Sequence, residues 1–168
     1  MKMLKVEENT AKRVTDAVTI SLVSPQLTPS VWGQVEKWLN KGEKHFRGYY
    51  KNEHLYNAIM SGQMQLWISF RQNKVRTIML TQLDFYPEGL QFRFVYIGGE
   101  VGSFKEILHA FRMVEIWAID HGARKACIIG RDGWSKKLAR FGYHKKSIML
   151  VKDLYTLSNS NGHAAWKQ

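Results

Sequence analysis

Val18-Thr19-Ile20-Ser21-Leu22 alternates apolar and polar side chains, the period of two expected of a strand with one face on a core. Pro25 ends that strand before a Leu27-Thr28-Pro29 turn. From Ser30 to Lys41 the period becomes helical, with Val31, Val35, Trp38 and Leu39 on one face. Asn52 stands at a favoured cap position, and Glu53 to Ser61 reads as a second helix turning Leu55, Ile59 and Met60 inward until Gly62 stops it. Met64 to Phe70 and Val75 to Tyr86, joined through Gln72-Asn73-Lys74, form an antiparallel hairpin. Pro87-Glu88-Gly89 then turns the chain into the last strand of a meander, Leu90 to Ile97. Its alternation predicts Leu90, Phe92, Phe94 and Tyr96 on one side and Gln91, Arg93 and Val95 on the other.

Gly98-Gly99 lead into the longest helix, whose apolar positions Phe104, Ile107, Leu108, Phe111, Val114 and Ala118 share a face. Ser103 and Glu106 have the spacing of a capping box, in which each side chain satisfies a backbone N–H of the first turn. His121-Gly122 marks the helix end. Lys125 to Ile129 is a short apolar strand, and its connection through a helix predicts a parallel crossover. Asp132 is placed to cap a helix from Gly133 to Phe141 that turns Trp134, Leu138 and Phe141 inward, and Tyr143 to Val151 reads as a final strand. The fold class is α/β, more narrowly α+β, with a mixed, mostly antiparallel central sheet flanked by helices. Residues 1–16 form a polar, charged arm, 17–154 a single domain, and 155–168 a polar tail.

Composition supports one core-bearing domain: 168 residues with 45% hydrophobic content. The net charge of +11 favours polyanions such as nucleic acid, anionic lipid or a phosphorylated cofactor. Apart from Lys136-Lys137 and Lys145-Lys146 the basic residues are dispersed, and a solvated basic surface is the alternative reading. In the stretch Lys41 to Tyr50, KGEKHFRGYY, basic and aromatic side chains either grip phosphate and base or anchor a loop. Cys127 is the single cysteine; it lies in the apolar run Ala126-Cys127-Ile128-Ile129 and reads as a small buried side chain. The six histidines show no metal-ligand spacing, so no metal is expected. The charged start and the lack of a long apolar run predict neither export nor membrane insertion, leaving the cytoplasm as the expected location.

The order strand, two helices, three-strand meander, long helix, strand, short helix, strand, with a glycine-rich turn before the long helix, resembles the GNAT superfamily of N-acetyltransferases. Ala118 to Val151 is similar to the family's helix ending in His-Gly-Ala, its next strand and its Gly-Tyr turn. Gly130-Arg131-Asp132-Gly133-Trp134 followed by Phe141-Gly142-Tyr143 resembles the divergent branch encoded by tailed bacteriophages. The resemblance runs from Val18 to Leu154 and implies acetyl-CoA as donor and an amine as acceptor. In the family, an Arg/Gln-x-x-Gly-x-Gly/Ala signature wraps the pyrophosphate with helix N-terminal amides. It falls here on Gly99, Gly102 and Phe104, so that Gly102 alone keeps its residue type.

The cofactor-binding residues implied are Tyr96, Ile97, Gly98, Gly99, Val101, Gly102 and Ser103. The family's acid tyrosine, four residues before the Gly-Tyr turn, falls on Leu138, and Tyr143 is the nearest hydroxyl of its kind. Glu100, with Asp84 and Glu88, is a candidate base. A competing implication is a non-catalytic phage module that binds nucleic acid, a host protein or the virion, placed in the host cytoplasm or the virion.

Overall fold

The computed structural model describes residues 19–42, 49–130 and 132–147, in two units, one ending at Ile129 and the other starting at Gly130. The first contains β1 (Thr19–Val23), a 3-10 turn (Pro25–Leu27), α1 (Thr28–Gly42), α2 (Asn52–Met60), β2 (Met64–Arg71), β3 (Lys74–Tyr86), β4 (Gly89–Gly99), α3 (Phe104–Asp120) and β5 (Ala123–Ile128). The sheet order is β1-β2-β3-β4-β5, antiparallel except between β4 and β5. The helix α3 supplies the crossover that a parallel pair needs. Gln72 (φ 51°) and Asn73 (φ 60°) both adopt the left-handed conformation of the tight turn between β2 and β3.

Each face of the sheet carries its own apolar layer. Val35 and Leu39 of α1 and Leu55 and Ile59 of α2 pack with Leu66, Ile68, Ile78 and Leu80. By strand alternation Trp67, between Leu66 and Ile68, points to the other face, where α3 lies. There Phe111 stacks on Phe94 at 4.4 Å, and Trp117 meets Trp67 edge-on at 5.3 Å. Buried polar side chains of this face are paired: Trp67 Nε1–H donates to Thr81 Oγ1 at 2.9 Å, and the Ser69 and Thr77 hydroxyls lie 2.6 Å apart.

The strict alternation expected of Leu90 to Ile97 does not hold, because β4 contains a bulge. Leu80 pairs with Tyr96 and Thr81 with Phe94, leaving Val95 as the extra residue. Phe92 and Phe94 therefore face α3, while Val95 and Tyr96 both pack against the α1–α2 core. A second bulge falls on Arg76, since Ser69 pairs with Thr77 and Phe70 with Val75.

Other boundaries shift for local reasons. α1 starts at Thr28, whose hydroxyl and N–H both donate to the Ser24 carbonyl. Asn52 is the first residue of α2 rather than its cap; its side-chain amide donates to Asn40 Oδ1 at 2.6 Å, while the Lys51 N–H donates to His54 Nδ1 at 3.3 Å. Met60, expected inward, is exposed. In the second unit α4 (Asp132–Leu138) includes Asp132 as a helical residue and passes into a 3-10 turn, Ala139–Phe141, closed by Gly142 at φ 85°. Leu138 is buried, but Phe141 is exposed. No strand forms over the described residues 143–147; the remainder of the strand expected to Val151, the arm 1–16, the tail 155–168 and residues 43–48 of the basic-aromatic stretch lie outside the described residues.

Candidate functional site

The strand β5 follows β4 only from the Leu90–Ala123 pair to the Phe94–Ile128 pair. Beyond it, Tyr96 to Gly99 pair with β3 alone among the described strands. The bulge at Val95 stands at this point of divergence, and the added twist of a bulge is a physical reason for two strands to part there. Among the described residues no strand lies along the other side of Ile97–Gly99, whose extended backbone is pre-aligned for an extended ligand.

The strand leads straight into a tight turn. A Cβ on Gly99 would stand 2.6 Å from Ser103 Oγ and 3.2 Å from the Arg76 carbonyl, so the turn can close only on a glycine. Gly102 adopts φ +88°, with nothing near the space a side chain would occupy. Ser103 is buried, its hydroxyl donating to the Glu100 carbonyl at 2.6 Å and its N–H to the same oxygen at 3.1 Å. The capping box expected of Ser103 and Glu106 is therefore not formed: the turn consumes the hydroxyl, and Glu106 is drawn to Arg76 Nη2 at 3.7 Å. The first bond inside α3 is Ile107 N–H to the Ser103 carbonyl at 2.9 Å. The preceding turn presents the helix N-terminus, with its partial positive charge, and no Ser103 side-chain cap.

Behind the turn, Arg76 forms ion pairs with both Glu100 and Glu106, and its carbonyl accepts from the Glu100 N–H at 2.9 Å. The bulge at Arg76 thus ties β3 to both the turn and the start of α3. Two carboxylates outnumber the one guanidinium here, so any attraction for an anion comes from the backbone amides in front, including exposed Val101 and Gly102.

Tyr96, expected at the cofactor, spends its side chain on architecture. Its ring fills a slot over Gly98 and Gly42, where a Cβ on either glycine would collide with it, and its hydroxyl donates to the Trp38 carbonyl at 2.8 Å. Burial raises the pKa of this phenol. Tyr96→Phe keeps the ring and deletes that bond. A loss of about 1 kcal/mol in urea unfolding is expected, and an unchanged midpoint would show that the bond contributes nothing.

On the α1–α2 face, just before the divergence, Arg93 Nε donates to Asp84 Oδ2 at 2.6 Å, and Nη2 donates to Asp84 Oδ1 and Gln82 Oε1 at 3.0 Å each. The Asp84 hydrogen bond, against the cost of burial, raises the Arg93 pKa. Arg93 pairs in register with Cys127 of β5. The Cys127 thiol, half-buried rather than buried, has its pKa raised chiefly by burial, with a Gln91 hydrogen bond and the Arg93 charge acting the other way. Such a thiol is protonated at neutral pH.

Of the candidate bases, Asp84 has both oxygens engaged by Arg93, Glu100 is paired with Arg76, and Glu88 is exposed in the β3–β4 turn. Tyr143 is half-buried in the second unit, its N–H donating to the Leu138 carbonyl at 3.3 Å. The Asp84–Arg93 pair is the feature sequence reading missed. Counting outward from Tyr86 opposite Gly89 brings Gln82 opposite Arg93, and Asp84 one diagonal step away. Among the described residues there is no cluster of three or more metal-ligating side chains and no helix long and apolar enough to cross a membrane.

No protein-family model matches the chain, and no curated protein matches it by sequence. Solved structures match it by fold. A predicted acetyltransferase from Clostridium acetobutylicum, solved with acetyl-CoA, superposes with a TM-score of 0.60 at 11% identity over 83% of this chain and 98% of that one. An aminoglycoside acetyltransferase from an uncultured soil metagenomic sample, in complex with sisomicin, gives 0.59 at 10% identity over 82% and 96%. A GNAT family acetyltransferase from Staphylococcus aureus gives 0.57 at 11% over 82% and 99%. The architecture is that of the GNAT acetyltransferases.

Proposed function

We propose that the protein is an acyltransferase that moves an acetyl group from acetyl-CoA to an amine. The observation that carries this reading is the parting of β4 and β5 after Phe94, directly ahead of the glycine turn and the α3 N-terminus, where among the described residues no strand follows Ile97–Gly99 on that side. That edge suits an extended, amide-bearing chain, and the amides of Val101 and Gly102 suit its pyrophosphate. In this reading the backbone of Tyr96, Ile97, Gly98 and Gly99 lies along the cofactor, with Val101, Gly102 and Ser103 at the phosphates. Acetyl-CoA supplies a thioester as the activated acyl group. Strand N–H groups between Tyr96 and Gly99 polarise its carbonyl, and the bound amine is positioned to attack it. As the C–N bond forms the thioester C–S bond would break; with Asp84 and Glu100 held in ion pairs, the amine proton would pass to water, and CoA would leave as a thiolate that takes its proton from water. The clostridial neighbour's complex with acetyl-CoA and the metagenomic neighbour's complex with an aminoglycoside support the donor and the acceptor class.

Calorimetric titration with acetyl-CoA tests the reading. Saturable binding is expected, with stabilisation of about 2.7 kcal/mol at a hundredfold excess over Kd. No heat and no shift in melting temperature at millimolar cofactor would sink it. The net charge of +11 favours one other reading, a non-catalytic nucleic-acid-binding module. DNA binding that weakens steeply with salt, without any response to acetyl-CoA, is the result that reading requires.

A further inference from the structure

A concavity lies on the helical layer, and none of its lining residues belongs to β4 or α3. It is lined by Pro29, Trp32, Glu36, Asn52, Glu53 and Tyr56 and has a volume of about 420 Å³, the size of a small-molecule site. Trp32 of α1 and Tyr56 of α2 meet edge to face at 4.8 Å and form an aromatic wall across the two helices. Glu36 follows Trp32 by four residues and Glu53 precedes Tyr56 by three, so each helix sets one carboxylate on the same face as its aromatic ring. The Asn52 amide nitrogen is spent on Asn40, leaving its carbonyl oxygen as a further acceptor.

The charge of this groove runs against that of the chain. Neither Glu36 nor Glu53 has an ion-pair partner among the described residues, in a protein of net charge +11. Glu53 in the first turn of α2 also offsets the positive end of that helix, which would otherwise repel a cation. Carboxylates beside aromatic rings attract a cation twice over, through Coulomb attraction and through the ring quadrupoles. A neutral apolar guest would desolvate the carboxylates without compensation, and an anion would be repelled. The absence of a cluster of three metal-ligating groups among the described residues leaves a hard metal ion without a coordination shell.

We infer that this groove binds a small organic ammonium ion, its charge held by Glu36 and Glu53 and its alkyl portion resting on Trp32 and Tyr56. The groove shares no lining residue with the edge and turn assigned to acetyl-CoA, and the inference does not rest on acetyl transfer. Its test therefore uses the full chain without acetyl-CoA, titrated with n-butylammonium and, in parallel, with neutral n-butanol. The readout is the Trp32 indole N–H resonance, identified by its loss in Trp32→Phe.

A saturable shift with n-butylammonium at about millimolar Kd is expected, with none from n-butanol over the same range. Glu36→Gln and Glu53→Gln should each weaken binding about threefold to tenfold, and the double variant should abolish it. Both side chains line the surface, so Glu36→Gln should keep the unfolding midpoint of the parent and Glu53→Gln should lower it only slightly, through the lost charge at the helix end; both are checked alongside. Equal responses to the two probes, unchanged affinity in the folded double variant, or no saturable shift would each overturn the inference.

Discussion

Phe111→Ala is expected to destabilise the protein by about 3–5 kcal/mol in urea unfolding, the range for emptying a large aromatic site in a core. Phe111 is only 2% exposed and lies on Phe94 at 4.4 Å, with the ring planes 26° apart. Its neighbours along α3, Ile107, Leu108 and Val114, are buried as well and have little freedom to collapse into the void. Phe111→Leu keeps most of the apolar volume and forfeits the ring contact, so a smaller loss of about 1–2 kcal/mol is expected. A loss below about 1 kcal/mol for the alanine variant would mean that α3 is not seated on β4 through this pair. The consequence reaches the candidate site, because these contacts set where the N-terminus of α3 points.

At Gly102, asparagine and aspartate are expected to cost similar stability and to differ in cofactor affinity. The residue sits at φ +88° with open space around the missing side chain, so both substitutions incur the left-handed backbone cost, about 1 kcal/mol, without a clash. Asparagine tolerates that conformation and is neutral; aspartate has nearly the same shape and a negative charge. If the pyrophosphate of acetyl-CoA rests on this turn, aspartate should weaken binding about tenfold relative to asparagine, or about 1.4 kcal/mol. Equal affinities in the two folded variants would move the phosphates elsewhere, even if acetyl-CoA binding itself were established.

Much of the architecture was legible because its causes are local. Helical spacing from Phe104 to Ala118 commits a face to a core, whereas the alternation in Val18–Leu22 located a strand but not its buried side: Leu22 is exposed and Val23 packs in the core. The turn residues Gln72-Asn73 and Gly89 punctuate the meander at positions where positive φ is in fact found. Even the sheet register about the β3–β4 turn could be counted outward from Pro87-Glu88. The bulges at Arg76 and Val95 could not, because an extra strand residue leaves no mark in composition and is fixed only by what packs on either face. The alternation drawn through Tyr96 failed for that reason.

The candidate site divides along the same line. By itself, the sequence determined that a strand would pass through glycines into a long amphipathic helix, since glycine permissiveness and apolar periodicity are properties of neighbouring residues. Only the tertiary structure decided what that junction presents. Arg76, brought alongside from β3, draws Glu106 away from the cap; the Glu100 carbonyl takes the Ser103 hydroxyl; and β5 parts from β4 at the Val95 bulge. The groove on α1 and α2 follows the same division. Trp32 with Glu36 and Glu53 with Tyr56 are helical neighbours by spacing, but bringing the two pairs together required the helices to pack. Contacts between segments distant in the chain depend on how the whole core closes, and no local pattern carries that information.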